Sequence, residues 1–227
     1  MNGYTHAAAG AASGLALAAA LHAPALPVLA GGVAGALLPD LDHPASLATS
    51  YVPGASLAHA ATGGNIPHRG PWHSVLPGVG VSLALGAVAA ALPYVWPVLA
   101  LVLVAAGVIM WHAAHTRHAL LCWREDAAPA APHNMLVYAA HRALPLALPL
   151  ALGAMAPAWF AAAVGAGWLS HLVLDGLTPE GVAPLWPLPW RVHGPISTGG
   201  ALEGAALVVL VAAAVLLLRA ATGVLVP

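Results

Sequence analysis

In the segment GWLSHLVLDG, His171 and Asp175 stand four residues apart inside an apolar run. On a helix that spacing puts both side chains on one face, aimed at one point. An imidazole and a carboxylate so placed are natural metal ligands; the plainer alternative is a His–Asp hydrogen bond that staples the helix. Ionisable groups within a membrane segment are costly and by default functional, which favours the ligand reading. The segment LLPDLDHP carries Asp40 and Asp42 directly after another apolar run. Two acids separated by one residue can point the same way in an extended turn, and carboxylates suit hard or borderline divalent ions. A solvated helix exit with Pro39 as breaker is the alternative. In IPHRGPWHS, His68 and His73 bracket a Gly-Pro turn and could both reach one centre, as zinc-binding imidazoles do. Arg69 beside them could hold an anionic oxygen, because its planar fork suits phosphate or carboxylate. The alternative there is a loop whose histidines are incidental. His6, in GYTHAAAG, is weak alone and gains weight only from where its helix begins. His112, His115 and His118 recur every three residues and read as a histidine-rich interfacial turn ahead of an accessory metal face.

The elements that must position these residues follow from composition. Of 227 residues, 61% are hydrophobic and 6% charged, against about 25% charged in a soluble domain. Most of the surface therefore cannot face water. Lysine is absent, and six arginines nearly balance seven acids for a net charge of −1; no basic stripe exists to neutralise phosphates, so no nucleic-acid partner is expected. The single cysteine, Cys122, excludes an internal disulfide and a thiolate metal cluster. The start, MNGYTHAAAG, lacks the basic region of a signal peptide and reads as retained. Apolar segments fall at roughly 7–22, 25–38, 74–92, 94–114, 143–155, 157–175 and 199–220. Spanning needs at least about 17 apolar residues, a standard the third, fourth, sixth and seventh meet. The first two and the fifth are short. Continuous Ala/Leu/Val runs exclude a lipid-facing barrel. The expected fold is thus all-α: one domain over 1–227, a polytopic membrane bundle of about six or seven helices. Glycines such as Gly10, Gly14, Gly31, Gly32, Gly35, Gly78, Gly80, Gly165 and Gly167 permit close helix approach in lipid.

If consecutive helices alternate in direction, His6, the Asp40/Asp42 pair, the His68–His73 turn, His112/His115 and the His171/Asp175 pair all come to one membrane face. Arg69, Arg117, Arg124, Arg142 and Arg191 lie on that side and Arg219 opposite, so the positive-inside bias predicts a site facing the cytoplasm. Trp72, Trp123, Trp186 and Trp190 sit in the same segments, as interfacial anchors or as the lining of a substrate groove.

Taken in order, Thr5-His6, PDLDH, HRG-x-x-HS and SH-x-x-x-D-x-x-TPEGV-x-x-LWP resemble the membrane-bound, metal-dependent hydrolases of the YdjM type, described as LexA-regulated. The resemblance runs from residue 5 to about 194 and rests on the ordered series of motifs. That family is grouped with the zinc-dependent phospholipase C superfamily, helical enzymes that bind metal through His and Asp and cleave phosphoesters. The resemblance implies His6, Asp40, Asp42, His68, His73, His171 and Asp175 as metal ligands, with Arg69, Thr178 and Glu180 nearby. The secreted phospholipases add an N-terminal amine and a further Glu to a three-metal site. Neither is evident in this sequence, so the resemblance implies two ions, zinc foremost with manganese or iron as alternatives.

The expected function is an inner-membrane, metal-dependent hydrolase acting on the phosphoester of a lipid or lipid-linked substrate. Asp40 or Asp42 would be bridging ligand or general base, and Arg69 would stabilise charge on the phosphoryl group. Two rivals remain: a transporter with a transient ion site, which would spread ionisable groups through the membrane depth, and a scaffold whose helices a metal staples.

Overall fold

The computed structural model describes residues 1–43, 46, 49, 69–93 and 147–223. Helix α1 spans Gly3–Leu21 and α2 spans Ala25–Leu37, the latter continued by a 3-10 turn over Leu38–Asp42. Helix α3 covers Val75–Pro93, α4 Pro157–Gly176 and α5 Ala201–Thr222; residues 147–153 are also helical. Among the described residues the only extended pairing is an isolated bridge between Val182 and Val192. The expected helix at 94–114, with His112, His115 and His118, and His68 lie outside the described residues.

Local chemistry sets the ends. Asn2 caps α1, its side chain accepting the Tyr4 and Thr5 amides at 3.1 Å each, which satisfies two otherwise orphaned donors. Helix α1 therefore begins before His6, not after it as expected, and His6 projects from the first turn. Pro157 opens α4 from its first position, where its missing N–H costs nothing. Pro39 does not break the second segment outright; it enters the 3-10 turn, and this extension makes Ala25–Asp42 one of four described segments long and apolar enough to span. The others are α3, α4 and α5.

Helices α2 and α4 form the centre. Helix α2 packs on α1 and α4, and α1 also meets α4 and α5. These contacts are made through glycine: a Cβ on Gly35 would stand 2.0 Å from the Val164 carbonyl oxygen, and one on Gly167 2.0 Å from that of Gly32. Gly10 and Gly14 meet the α2 backbone as closely. Gly80, by contrast, meets nothing among the described residues. In lipid, where apolar transfer gives helices no reason to associate, such backbone proximity supplies the packing. Gly35→Ala should accordingly destabilise the bundle by at least about 1–3 kcal/mol, read as a lowered melting temperature in detergent. Helices α3 and α5 lie at the rim, with Leu76, Val79 and Leu83 of α3 and Val208, Val209 and Leu216 of α5 exposed.

Alternation holds among these helices. The starts of α1, α3 and α5 and the ends of α2 and α4 meet at one end of the bundle.

Candidate metal centre

Asp175, 1% exposed, is the hub of that end. Its Oδ1 lies 3.0 Å from the Met1 amine and 3.3 Å from His6 Nε2. Its Oδ2 lies 3.4 Å from His171 Nε2 and 3.7 Å from His73 Nε2. Arg69 closes the hub from the loop before α3: NH2 donates to Oδ1 at 3.2 Å and Nε stands 3.2 Å from Oδ2. The same guanidinium donates to Thr178 Oγ1 at 2.7 Å and pairs with Glu180 at 3.2 Å. The anion that Arg69 grips in this arrangement is thus a carboxylate of the protein itself. It does so from a left-handed backbone (φ 56), a conformation that for a non-glycine residue marks sites held by their surroundings.

His171 decides the chemistry. Its Nδ1 sits 2.7 Å from the Ala36 carbonyl oxygen, and a carbonyl only accepts, so Nδ1 carries a proton and Nε2 is the nitrogen turned to the cluster. Nε2 lies 3.4 Å from Asp175 Oδ2 and 3.7 Å from Asp40 Oδ1, between two carboxylates. His171 Nε2 and both ring nitrogens of His6 have no hydrogen-bond partner among the described residues. With Nδ1 committed to Ala36, a His171–Asp175 bond stapling the helix needs a second proton on Nε2, the position a metal ion would otherwise take. Carboxylates buried this close together call for positive charge among them, which a proton on the imidazole or a bound metal ion would supply. The His6 and His171 rings stack at 3.8 Å between centroids, and His73 approaches His171 to 5.1 Å.

Asp40 and Asp42 do not point the same way. With about three residues per turn, positions two apart on a 3-10 helix diverge. They reach opposite edges of one ring: Asp42 Oδ2 is 2.9 Å from His73 Nδ1, and Asp40 Oδ1 3.8 Å from His73 Nε2. Asp42 is buried; Asp40 keeps 13% of its side chain exposed and opens the cluster to its surroundings. Burial works against a charge on His73, but the carboxylates of Asp40 and Asp42 outweigh it and raise the imidazole to about 9. Two triads of donor atoms are close enough to hold an ion: His6, His171 and Asp175, and Asp40, His73 and His171. Nitrogen and oxygen donors without thiolate suit zinc, manganese or iron.

Glu203 was not singled out in the sequence. It is 1% exposed, and its carboxylate accepts from the Asn2 amide at 2.6 Å, from the Thr5 hydroxyl at 3.0 Å and from the Gly199 amide. It ties the start of α1, and hence His6, to α5. The signal was there: Glu203 is the sole acid in a long, mostly apolar span. The motif TPEGV also finds its place. Thr178 bridges Arg69 and the Asp175 carbonyl, and Pro184 accepts the Val75 amide at 2.9 Å, docking this loop on the start of α3.

Neither the curated proteins nor the solved structures contain a match to this chain. The order of the motifs that meet at this centre is nevertheless that of a known family. The sequence profile of the YdjM inner membrane protein family matches residues 1–226, and this membrane protein belongs to that family.

Proposed function

We propose that the chain is a membrane-bound, metal-dependent hydrolase that cleaves a phosphoester of a lipid or lipid-linked substrate. The observation that carries this reading is the burial of His171 Nε2 beside the Asp40 and Asp175 carboxylates, at the point shared by two triads of metal-binding donor atoms. His6, His73, His171, Asp40 and Asp175 would hold one or two divalent ions, zinc foremost. A bound ion supplies Lewis acidity and a water acidic enough to act as nucleophile near neutral pH.

The protein's own groups divide the remaining work. Ala36 and Asp42 orient the imidazoles of His171 and His73 from behind, a role carbonyls and carboxylates take beside metal-binding histidines. Arg69 holds Asp175 in place. Asp40, the one partly exposed acid of the cluster, takes the proton from the attacking water. The general-base role that the sequence left open between Asp40 and Asp42 thus goes to Asp40. For orientation, Arg117, Arg124, Arg142 and Arg191 on the expected site side, against Arg219 at the far end of α5, favour the cytoplasmic face; Arg69, buried in the cluster, leaves that count.

Asp40→Asn should lower kcat by about 10²–10⁴-fold on a responsive lipid phosphoester, while Asp42→Asn should weaken metal binding by about 10–100-fold. Metal analysis of the purified protein, with phosphodiesterase and phosphomonoesterase assays on lipid substrates, reads both. A metal-free, well-folded protein would sink the site. Bound metal without turnover of any phosphoester would favour the stapled scaffold, a reading that the near-complete burial of His6, His73 and His171 supports.

A further inference from the structure

Helices α3 and α4 do not seal along their whole contact. A slot of about 160 Å³ runs between them, walled by Val75, Val79 and Leu83 on one side and Gly165, Trp168 and Leu169 on the other. Its one hydroxyl, on Ser82, is turned to the Ala161 carbonyl, so the surface it offers is apolar. One end is lined by residues next to those of the cluster. Val75 follows His73 by two residues, Trp168 precedes His171 by one turn, and the Trp168 indole donates to the Ser74 carbonyl at 2.9 Å. From Val75 to Leu83 the slot descends about 12 Å along α3.

We propose that this slot receives a single alkyl chain of the lipid substrate and fixes the depth at which the phosphoester meets the cluster. The proposal rests on the hydrolase reading above. The occupant follows from what the slot opens onto. Val79, Leu83 and Leu169 at its rim are 53%, 67% and 50% exposed, on two helices long and apolar enough to span. The slot is therefore continuous with the lipid-facing surface, where alkyl chains lie roughly parallel to the helices. Lipid tails are as apolar as leucine, so entry from the bilayer gains little by transfer. The slot acts by alignment, converting a freely rotating amphiphile into one whose ester is held beside Asp40.

The test uses the full chain, zinc-loaded, in nanodiscs containing phosphatidylglycerol with a diazirine on one acyl chain. Labelling should fall on Val79, Leu83 and Leu169 severalfold above Val208 and Val209 of α5. Gly165→Leu should reduce it to the α5 level; among the described residues a Cβ there meets only Ser82, at 3.4 Å or more, so the backbone accepts the change while the side chain fills the slot. Val79→Trp fills it from the rim and serves if Gly165→Leu fails to fold. On a hydrolysed substrate, either variant should lower the preference in kcat/KM for long-chain over short-chain esters by about tenfold. Equal labelling of slot and α5, unchanged in both variants, would overturn the slot. So would turnover indifferent to chain length, with hydrolysis itself intact. Slot labelling without turnover of any phosphoester would instead overturn the hydrolase reading and leave the chain slot standing.

Discussion

Asp175→Asn should lower stability by about 3–5 kcal/mol, more than the other single substitutions considered. The carboxylate answers the Arg69 guanidinium at 3.2 Å on both oxygens and the Met1 amine at 3.0 Å, all away from solvent. Asparagine has nearly the same shape, so the loss is one of charge: a buried guanidinium left facing a neutral amide. Glu180 is the other acid paired with Arg69, and it is 75% exposed, where screening makes an ion pair weak. Thermal unfolding in detergent, with and without added zinc, measures the effect. Adding Arg69→Met should recover part of the loss, because removing both members of a buried pair costs less than stranding one. An Asp175→Asn protein as stable as the parent would show that Arg69 draws its stability from elsewhere.

His171→Ala should weaken metal binding by more than about 100-fold, beyond what loss of a supporting residue causes. His171 Nε2 belongs to both donor triads, whereas His6 and His73 each belong to one. One nitrogen ligates one ion at a time, so the triads share His171; its removal should disable both, while His6→Ala should leave the Asp40–His73–His171 group able to bind an ion. Elemental analysis and calorimetric titration with zinc distinguish these outcomes. Identical stoichiometry in His171→Ala and the parent would mean that the histidine is only a structural partner of Ala36.

Much of the site was legible because helix connectivity and the four-residue spacing of His171 and Asp175 depend on local sequence. Any antiparallel arrangement brings the ends of α2 and α4 and the starts of α1 and α3 together. What sequence missed was decided by contacts distant along the chain. Asp40 and Asp42 look like a pair aimed one way until the chain takes the 3-10 turn, and their division of labour depends on where the His73 ring sits between them. Arg69 reads as a phosphate clamp because nothing nearby in sequence announces Asp175, 106 residues away. Glu203 passes for a favourable acid at a helix start; only the fold reveals that its carboxylate receives the turn that carries His6. The first turn of α1 itself was misplaced by a few residues because the cap, Asn2, lies so close to the first residue.

The bond from His171 to the Ala36 carbonyl also bears on how the centre comes into being. Ala36 lies in the last turn of α2, directly ahead of the 3-10 turn that carries Asp40 and Asp42. The imidazole thus caps one helix while belonging to another. It can do so only once α2 and α4 have closed to the distance that Gly35 and Gly167 allow. Residues 6, 40, 42 and 73 precede α4 in chain order; Asp40 and Asp42 can meet His73 without it, but His6 joins them only through His171 and Asp175. Metal capture at the proposed site would then be a late step of assembly, locking a helix pairing already made.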